Sequence, residues 1–407
     1  MKIKKRVLAI NLGWEQEPLL DKLAACDTEI YGIHYNENYY RKIPYHDIMI
    51  TDLRDLPAII RYTDKIKPDA VISDQCDYSY FAQALIAEKY NLPGPGIKEA
   101  QIATNKFLQR KKTLEFGFLS PDFSLCFSVD DVFNFTKKNG FPIMIKAIDN
   151  RGSFGVNKVK NVDEIHNAYY DALINSHSRY VLVEKYIAGT HLTVDGFVFP
   201  NLGPKALAVA SKTKLNVKDS IIDGEIIYPA QIPEKFYMKA EQALEIISYN
   251  FGFKFGFLHG EFILTENGDI YLTEIANRGG GVFTSEIIVP NFTSFDIITA
   301  YINNVLGLNY TFLNTDVLTK IPTVLKFFAF ESKEEGIVKS IKGIDTIESK
   351  KNVLKIKMLI KKGDLIKKVT NGAERHGMII CTDKTVPKMI FNMSETIKNL
   401  EVEIEKV

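Results

Sequence analysis

A run of alternating residues around an Asn-Gly pair, GEFILTENGDIYLTE at 260–274, constrains the fold of this chain more than any other segment. Asn-Gly between two apolar runs of period two is the strongest short-range signal for a two-residue β-hairpin loop of type I′. In that register Leu264 faces Tyr271, and Glu261 falls directly opposite Glu274. The sequence therefore predicts a hairpin that carries two carboxylates on one rung.

Two glutamates on one rung repel each other, because directly opposed side chains have Cβ atoms about 4.5–5.5 Å apart. A divalent cation bound between Glu261 and Glu274 removes that repulsion, and carboxylate oxygens suit Mg²⁺. The alternative is an exposed sheet face on which water screens both charges. In a regular strand His259 and Arg278 lie on the same face as the glutamates, and Asn277 lies on the other.

The residues after the hairpin suit a phosphoryl group. A guanidinium such as that of Arg278, next to a two-carboxylate metal site, is what a phosphoryl group in transfer requires. The three glycines 279–281 follow. They let the backbone approach a ligand closely, although a plain flexible turn has the same composition.

Length and composition set the outer limits. A chain of 407 residues is long enough for two or three domains, and its net charge of +1 points to neither a nucleic-acid nor a membrane partner. No apolar stretch approaches the roughly 20 residues of a membrane span, and the basic start has too short an apolar run for a signal peptide. Four scattered cysteines show no metal-binding spacing, which predicts reduced thiols in a cytoplasmic protein.

The chain divides by pattern. Strands alternate with helices over residues 1–97, which predicts a Rossmann-like parallel α/β layer. Its first turn, NLGW at 11–14, lacks the GxGxxG fingerprint, so dinucleotide binding is unsupported. NLGW and SDQCDYS at 73–79 both follow strands, and ligands gather at the carboxyl ends of parallel strands. Mixed strands and helices fill 98–310, and residues 311–407 are rich in strands.

Two upstream segments fit a nucleotide. In KAIDNRGSFGV at 146–156 a lysine ends an apolar strand and a glycine-containing loop follows, which can cradle phosphates without being a P-loop. The strand–loop–strand YVLVEKYIAGTHLTVDGFV fits an adenine slot where backbone and Glu184 meet the base edge. Taken alone, a hairpin turn and an ordinary strand–loop–strand explain these two segments as well.

Four segments in this order resemble the motifs of the ATP-grasp superfamily, and the resemblance covers most of the chain. They are LPGPGIKEAQIATNKFLQRKKTLEFGF, FPIMIKAIDNRGSFGV, VEKYIAGTHLTVDGFV and HGEFILTENGDIYLTEIANRGGG. The residues from about 322 resemble the small C-terminal subdomain of ATP-grasp amino-acid ligases and related carboxylate–amine ligases. The resemblance implies two α+β subdomains that grip ATP, at about 115–185 and 186–310, and a β-rich C-terminal subdomain at 311–407 that completes the larger one.

The resemblance also implies roles for individual residues. Glu261 and Glu274 match the magnesium carboxylates, and Arg278 matches the catalytic arginine that stabilises the transferring phosphoryl group. The residues implied to bind ATP are Lys106, Lys146, Arg151, Gly152, Ser153, Gly155, Glu184, Lys185, Tyr186, Ile187 and His191.

Two positions depart from the family pattern. His191 stands where a ribose-binding glutamate is usual, as it also does in biotin carboxylases. Asn277 is displaced by one place from the usual metal-binding asparagine. We therefore expect the two glutamates, phosphate oxygens and water, rather than Asn277, to hold two Mg²⁺ ions, with Mn²⁺ as an alternative.

The implied activity is that of an ATP-dependent carboxylate–amine ligase. ATP phosphorylates a small carboxylate, an amine attacks the acyl phosphate, and an amide, ADP and phosphate result. Arg278, Gly280 and Arg375 are the candidate substrate-binding residues, since arginine binds carboxylates bidentately, although Arg375 also fits a surface loop. His259 and His376 are candidate bases, with structural histidines as the alternative.

Two other functions stay open at this point. One is a bicarbonate-activating enzyme of the biotin-carboxylase or carbamoyl-phosphate kind, which His191 favours and which the absence of a Met-Lys-Met biotinylation turn does not exclude. The other is a non-catalytic ATP-binding protein, against which the presence of both glutamates, both lysines and Arg278 argues. A homodimer is also open, since dimers are common in proteins of this resemblance.

Overall fold

The computed structural model describes residues 4–38, 40–150, 152–215, 222–308, 318–330, 336–366 and 369–406. The first sheet is parallel, has four strands in the order β3-β2-β1-β4, and alternates with helices along the chain. Its central strands are buried apolar runs, as a sheet covered on both faces requires. The predicted Rossmann-like parallel layer is confirmed. Its elements are β1 Lys5–Ile10, α1 Glu17–Ala24, β2 Thr28–His34, β3 Tyr45–Ile50, α2 Leu56–Ile66, β4 Ala70–Ser73 and α3 Asp77–Lys89.

A second sheet, antiparallel and in the order β5-β8-β6-β7, carries two helices on one face. In β6, Ile143 and Ile145 face those helices, whereas Met144 and Lys146 point to the opposite face and line a cleft. This alternation is the period-two pattern of a half-buried strand. The elements of this part are α4 Ile97–Ala103, α5 Lys106–Glu115, β5 Phe123–Cys126, α6 Val129–Asn139, β6 Ile143–Ala147, β7 Val156–Val159, α7 Ile165–Asn175 and β8 Val181–Lys185.

The largest sheet is antiparallel and has eight strands in the order β13-β12-β9-β10-β11-β14-β18-β16. Strands from the last part of the chain therefore complete the sheet that carries the glutamate hairpin. Its elements are β9 Thr190–Phe199, β10 Gly203–Lys214, β11 Asp223–Tyr228, α8 Glu234–Phe251, β12 Gly256–Leu264, β13 Ile270–Ala276, α9 Val289–Thr293, α10 Ile297–Val305, β14 Thr323–Phe328, β15 Gly336–Lys342, α11 Ile344–Glu348, β16 Val353–Met358, β17 Leu365–Ile366, β18 Gly377–Thr382, α12 Val386–Ile397 and β19 Glu401–Lys406.

One apolar core joins the parallel layer to the large sheet. It runs from Val7 and Leu19 of the first layer to Phe197 of β9, Phe283 after β13 and Met378 of β18. Strands β17, β15 and β19 form a separate small sheet near the end of the chain. Within the described segments, no helix combines the length and the apolar character that a bilayer crossing requires.

The hairpin departs from its predicted register near the loop. Leu264 pairs with Ile270 instead of Tyr271, and the Thr265 N–H donates to the Asp269 carbonyl at 2.9 Å, so the loop contains three residues. Its last residue, Gly268, has φ +83°, the left-handed conformation that a three-residue loop needs at that place. The predicted two-residue loop is wrong.

A β-bulge restores the predicted glutamate pair. Phe262 pairs with Leu272 while Glu261 pairs with Glu274, so one extra residue, Thr273, stands in β13. The one-residue shift in the loop and the one-residue shift at the bulge cancel. The predicted pairing of Glu261 with Glu274 is therefore confirmed, although the register between it and the loop is different.

Helix α5 satisfies the backbone groups of β13, which is an edge strand. The Arg110 guanidinium donates to the carbonyl of the bulged Thr273 at 2.7 Å. The Gln109 amide donates to the Ile275 carbonyl at 2.9 Å and accepts from the Ile275 N–H at 3.1 Å. The edge is therefore covered by side chains, and the bulge is held in place.

Asn277 is a buried structural residue. Its amide nitrogen donates to the carbonyls of Phe255 and Phe257 at 2.8 and 2.7 Å. Its side-chain oxygen accepts from the Tyr80 hydroxyl at 2.8 Å. Because Tyr80 lies on α3, this side chain ties the parallel layer to the end of β13.

We expect Asn277→Ala to lower the free energy of unfolding by about 2–4 kcal/mol, because each buried polar group left without a partner costs about 1–3 kcal/mol. Urea denaturation followed by circular dichroism measures the loss. Tyr80→Phe, which removes only one of the three hydrogen bonds, should cost less. A change below about 0.5 kcal/mol for Asn277→Ala would show that these bonds do not hold the two layers together.

Candidate active site

Most of the residues predicted to bind ATP meet in a single cleft. One wall is the open face of the second sheet, with Met144, Lys146 and Val156. The opposite wall is the hairpin β12–β13, with Ile263 and Leu272. The cleft is therefore a slot with apolar walls and charged groups at its end. The other predicted residues along it are Lys106, Gly152, Ser153, Glu184, Lys185, Tyr186, Ile187, His191, Glu261 and Glu274.

The segment after β8 closes one side of the slot. The N–H groups of Lys185 and Tyr186 donate to the carbonyls of Asp122 and Pro142 at 2.9 and 3.2 Å. Ile187 lines the cleft, and its N–H makes no hydrogen bond to the described residues. The Tyr186 ring packs against Lys158, whose ammonium lies 3.7 Å from the ring centroid.

A buried ion cluster lies under the slot. The Glu184 carboxylate is bound by the Lys146 ammonium and by the Arg110 guanidinium at 2.6 Å. Burial opposes ionisation of this carboxyl, but the two cations prevail and lower the pKa of Glu184 to about 2. Burial lowers the pKa of Lys146, against the attraction of Glu184. The Glu184 side chain thus holds Lys146 in place. Sequence reasoning missed Arg110, because it is one of four cationic residues in KFLQRKK and nothing in the sequence distinguishes it from the others.

Each glutamate of the rung is neutralised by a lysine. The Lys106 ammonium lies 3.0 Å from the Glu274 carboxylate, and the Lys212 ammonium lies 2.6 Å from that of Glu261. Lys212 is almost fully buried and also binds Asp223 at 3.2 Å. Burial opposes the charge on Glu261, but the Lys212 charge and His259 lower its pKa well below the usual range.

Sequence reasoning also missed Lys212. The alternation of Lys212 and Lys214 in SKTK places both on one face of β10, which is a signal that the sequence contains. Their common partner, Asp223, begins the next strand, and Lys214 binds it at 2.7 Å. Three charged groups therefore approach the Glu261 end of the rung.

His259 is held between two carboxylates. Its Nδ1 lies 2.7 Å from Asp195, its partner on β9, and its Nε2 lies 3.8 Å from Glu261. The Tyr228 hydroxyl donates to the other Asp195 oxygen at 2.6 Å. Burial favours the neutral ring, but Asp195 outweighs it and raises the pKa of His259 to about 9.

His376, the other candidate base, is structural. Its Nδ1 accepts the Phe330 N–H at 2.9 Å, and its ring stacks on that of Phe330. Its backbone N–H donates to the Phe328 carbonyl at 2.8 Å. The ring is buried in the C-terminal strands and does not line the cleft.

Arg278 and the glycines pack against the parallel layer. The Arg278 Nε donates to Asp77, the first residue of α3, at 2.5 Å. Burial lowers the pKa of Arg278, but the Asp77 carboxylate outweighs burial and raises it. A Cβ on Gly279 would lie 2.7 Å from the Asp74 carboxylate, and one on Gly280 would lie 2.6 Å from the His259 ring. These two glycines are required for close packing, which rules out a plain flexible turn.

The loop after β6 and the segment around His191 complete the cleft. Gly152 and Ser153 line the cleft and have φ near +62°, and a Cβ on Gly155 would lie 2.8 Å from Asn175. Arg151 lies outside the described residues. Burial, helped by Lys214, lowers the pKa of His191 to about 4, so the ring is neutral near pH 7.

A carboxyl pair is buried where the two layers meet. Asp74 follows β4 and accepts the Gly279 N–H at 2.6 Å, and Gln75 binds Glu286. Burial raises the pKa of Asp74 to about 6. Burial and the neighbouring Asp74 raise the pKa of Glu286 well above its usual range. Both carboxyls are therefore easier to protonate than exposed ones.

Two segments of the chain match known protein families. Residues 139–286 match the family model of the ATP-grasp domain, and residues 329–405 match that of the L-amino acid ligase C-terminal domain 2. The vancomycin C-type resistance protein VanC2 of Enterococcus casseliflavus is 27% identical over 210 residues, which are 48% of this chain and 57% of that protein. The L-arginine-specific L-amino acid ligase of Bacillus subtilis is 22% identical over 78% of this chain and 76% of its own. The chain thus spans about half the length of the first of these relatives.

Solved structures show the same fold. The L-amino acid ligase from Bacillus licheniformis superposes with a TM-score of 0.85 over 99% of both chains, at 17% identity. Biotin carboxylase from Campylobacter jejuni superposes with a TM-score of 0.77 over 99% of this chain and 92% of its own, also at 17% identity. These similarities confirm the predicted fold class and the resemblance stated from the sequence.

The buried carboxyl pair predicts a pH-dependent stability. Because burial and Asp74 raise the folded-state pKa of Glu286 well above its usual range, the stability that its proton contributes is fully present below the unfolded-state pKa and is lost as the pH rises above it. Glu286→Gln removes this titrating group and keeps Asp74. We therefore expect the unfolding free energy of the wild type, relative to this variant, to fall by up to about 1.4 kcal/mol per pH unit between pH 4.5 and 7.5.

Urea denaturation across this pH range tests the expectation. Glu266→Gln is the matched control, because Glu266 is exposed in the hairpin loop. A difference between wild type and Glu286→Gln that does not change with pH would show that the pKa of Glu286 is not raised in the folded state.

Proposed function

We propose that this chain, which carries an ATP-grasp domain followed by an L-amino acid ligase C-terminal domain, is an ATP-dependent carboxylate–amine ligase. The observation that carries the proposal is the rung of Glu261 and Glu274 at the charged end of an apolar slot. Lys106 and Lys212 bind these two carboxylates directly. The C-terminal match to L-amino acid ligases favours this activity over bicarbonate activation.

In this proposal ATP lies in the slot. Adenine stacks between Met144 and Leu272, and the Ile187 N–H donates to the base edge. His191, neutral near pH 7, reaches the ribose hydroxyls. Lys106, Lys146 and the backbone of the loop that contains Gly152 and Ser153 bind the phosphates, as Arg151 would from the same loop.

Glu261 and Glu274 would hold Mg²⁺. The structure shows no group of three or more His, Cys, Asp or Glu side chains placed to bind a metal among the described residues, so ATP oxygens and water must complete the ligand set. When bound, Mg²⁺ neutralises charge that develops on the transferring phosphoryl group. The donor set fits, because two carboxylates stand on one rung and the lowered pKa of Glu261 favours its charged form.

The chain's own residues would organise two steps. A carboxylate oxygen of the first substrate bonds to the γ-phosphorus, and the bond from that phosphorus to ADP breaks. The amine nitrogen then bonds to the acyl carbon and loses a proton to solvent, and phosphate leaves with the electron pair of the broken C–O bond. Arg278 stabilises the transferring group, and Asp77 and Gly279 fix the position of that arginine.

We also propose a reducing, cytoplasmic setting. The four cysteines of the chain are free thiols, and three of them are buried. Reduced cysteines are the rule in cytosolic proteins.

We expect the full chain, with ATP and Mg²⁺, to release ADP and phosphate only when both a carboxylate and an amine are present. The assay measures ADP and AMP separately while pairs of amino acids, simple amines and bicarbonate are screened. Release of AMP, or ADP release that needs bicarbonate alone, would overturn the proposal.

We expect Glu274→Gln to lower kcat by at least about 100-fold, because a neutral amide weakens the metal site while the fold is kept. Glu266→Gln, also a Glu-to-Gln change in the same hairpin, should leave kcat unchanged. Thermal melting confirms that both variants are folded. Full turnover by Glu274→Gln would show that this carboxylate does not hold the metal.

A further inference from the structure

Among the described residues, three arginines near the site are buried or partly buried, and two of them have carboxylate partners. Arg110 is paired with Glu184 at 2.6 Å, and Arg278 is paired with Asp77 at 2.5 Å. Arg375 forms no ion pair with any carboxylate in the described segments of the chain. A guanidinium withdrawn from water without a counter-charge is unfavourable, so such a group is suited to an anionic ligand.

Arg375 is held rigidly. Its Nε donates to the Gly372 carbonyl at 2.7 Å, and its guanidinium carbon lies 3.5 Å from the centroid of the Phe327 ring. Stacking and one hydrogen bond fix the plane of the guanidinium and leave its two terminal nitrogens available. A planar fork fixed in this way matches the two oxygens of a carboxylate.

The charge of Arg375 is only weakly compensated. Burial lowers its pKa to about 10, and Asp223 and Glu15 oppose this shift without forming an ion pair with it. Asp223 itself binds Lys212 and Lys214, so its charge is already balanced. The surroundings of Arg375 thus favour a further negative group.

Arg375 lies between the loop of the nucleotide cleft and the glycines that follow β13. Gly372, which it binds, donates its N–H to the carbonyl of Gly152 at 3.0 Å, in the loop that lines the nucleotide cleft. Glu15, which acts on its charge, follows β1 in the parallel layer and approaches Gly281. Arg375 does not itself line the nucleotide cleft.

We propose that Arg375 and Phe327 form a carboxylate subsite for the amine-bearing substrate, and that Gly372 couples its occupancy to the nucleotide loop. The inference rests on the proposed function. The carboxylate that is activated must reach the γ-phosphoryl group and is consumed, whereas the carboxylate of the amine-bearing substrate remains free in the product. A fixed arginine outside the nucleotide cleft suits the carboxylate of the amine-bearing substrate.

The coupling has a physical path. Arg375 and Gly152 contact opposite groups of the same residue, the carbonyl and the N–H of Gly372. A ligand that fixes Arg375 therefore also fixes the partner of the nucleotide loop. By linkage, the substrate and ATP then raise each other's affinity by the same factor.

The test compares amino acids with their α-amides, which lack the carboxylate but keep the amine and the side chain. Ligand-induced thermal shifts of the full chain, with ATP and Mg²⁺ present, are measured for the twenty standard L-amino acids and their amides. We expect an amino acid that stabilises the wild type and an amide that does not. In Arg375→Met the difference between them should disappear, with affinity for the amino acid lowered about 30- to 100-fold.

The coupling is tested by titrating ATP. The amino acid found in the screen should lower the Kd of ATP in the wild type but not in Arg375→Met. Arg61→Met is the matched control, because Arg61 is exposed on α2. Arg375→Lys keeps the charge but loses the fork, so it should recover only part of the discrimination.

Other outcomes would overturn the inference. Equal binding of amino acids and amides by the wild type would show that there is no carboxylate subsite. If Arg375→Met weakens ATP or inorganic phosphate and leaves the amino acid-to-amide ratio unchanged, the arginine binds phosphate instead. Because these are binding measurements, they remain decisive even if the chain proves to have no ligase activity, an outcome that would refute the proposed function alone.

Discussion

The repulsion between Glu261 and Glu274 is the constraint on which the site depends. A β-ladder brings the two carboxylates to one rung, and a folded protein must balance them. In the structure this is done by two lysines that come from different parts of the chain, Lys106 at the start of α5 and Lys212 in β10. The position of the two carboxylates thus determines where α5 and β10 must place their lysines.

The same rung depends on the packing of two layers. Asp74, Asp77 and Tyr80 of the parallel layer bind Gly279, Arg278 and Asn277 respectively, so every residue just after β13 is held from that side. The polar residues that follow β4 therefore fix the positions of the arginine and the glycines that follow the hairpin. This explains why the end of a parallel strand and the end of an antiparallel hairpin form one site.

Local features of the fold and of the site could be predicted from the sequence, and long-range ones could not. Alternation around Asn267-Gly268 indicated the hairpin, but the bulge at Thr273 is held by Arg110 of α5, which is far away in the sequence. Asp195 was not found, because its pairing with His259 joins strands that are 64 positions apart. Arg375 was found as a candidate by residue type, whereas the absence of a carboxylate partner among the described residues depends on the surrounding fold.

Charge balance also indicates how ligands can enter without a large energetic cost. Breaking a buried ion pair by removing one partner costs about 3–5 kcal/mol, because the remaining charge is left unpaired in a medium of low polarity. In this site Lys106 holds Glu274 and lines the cleft, whereas Lys212 holds Glu261 and also binds Asp223. In the proposed function, a cation that takes the two carboxylates leaves Lys106 to the phosphates and leaves Lys212 paired with Asp223, so that no charge is left alone. Among the described residues Arg375 has no carboxylate partner to exchange, and in our proposal the substrate carboxylate balances its charge.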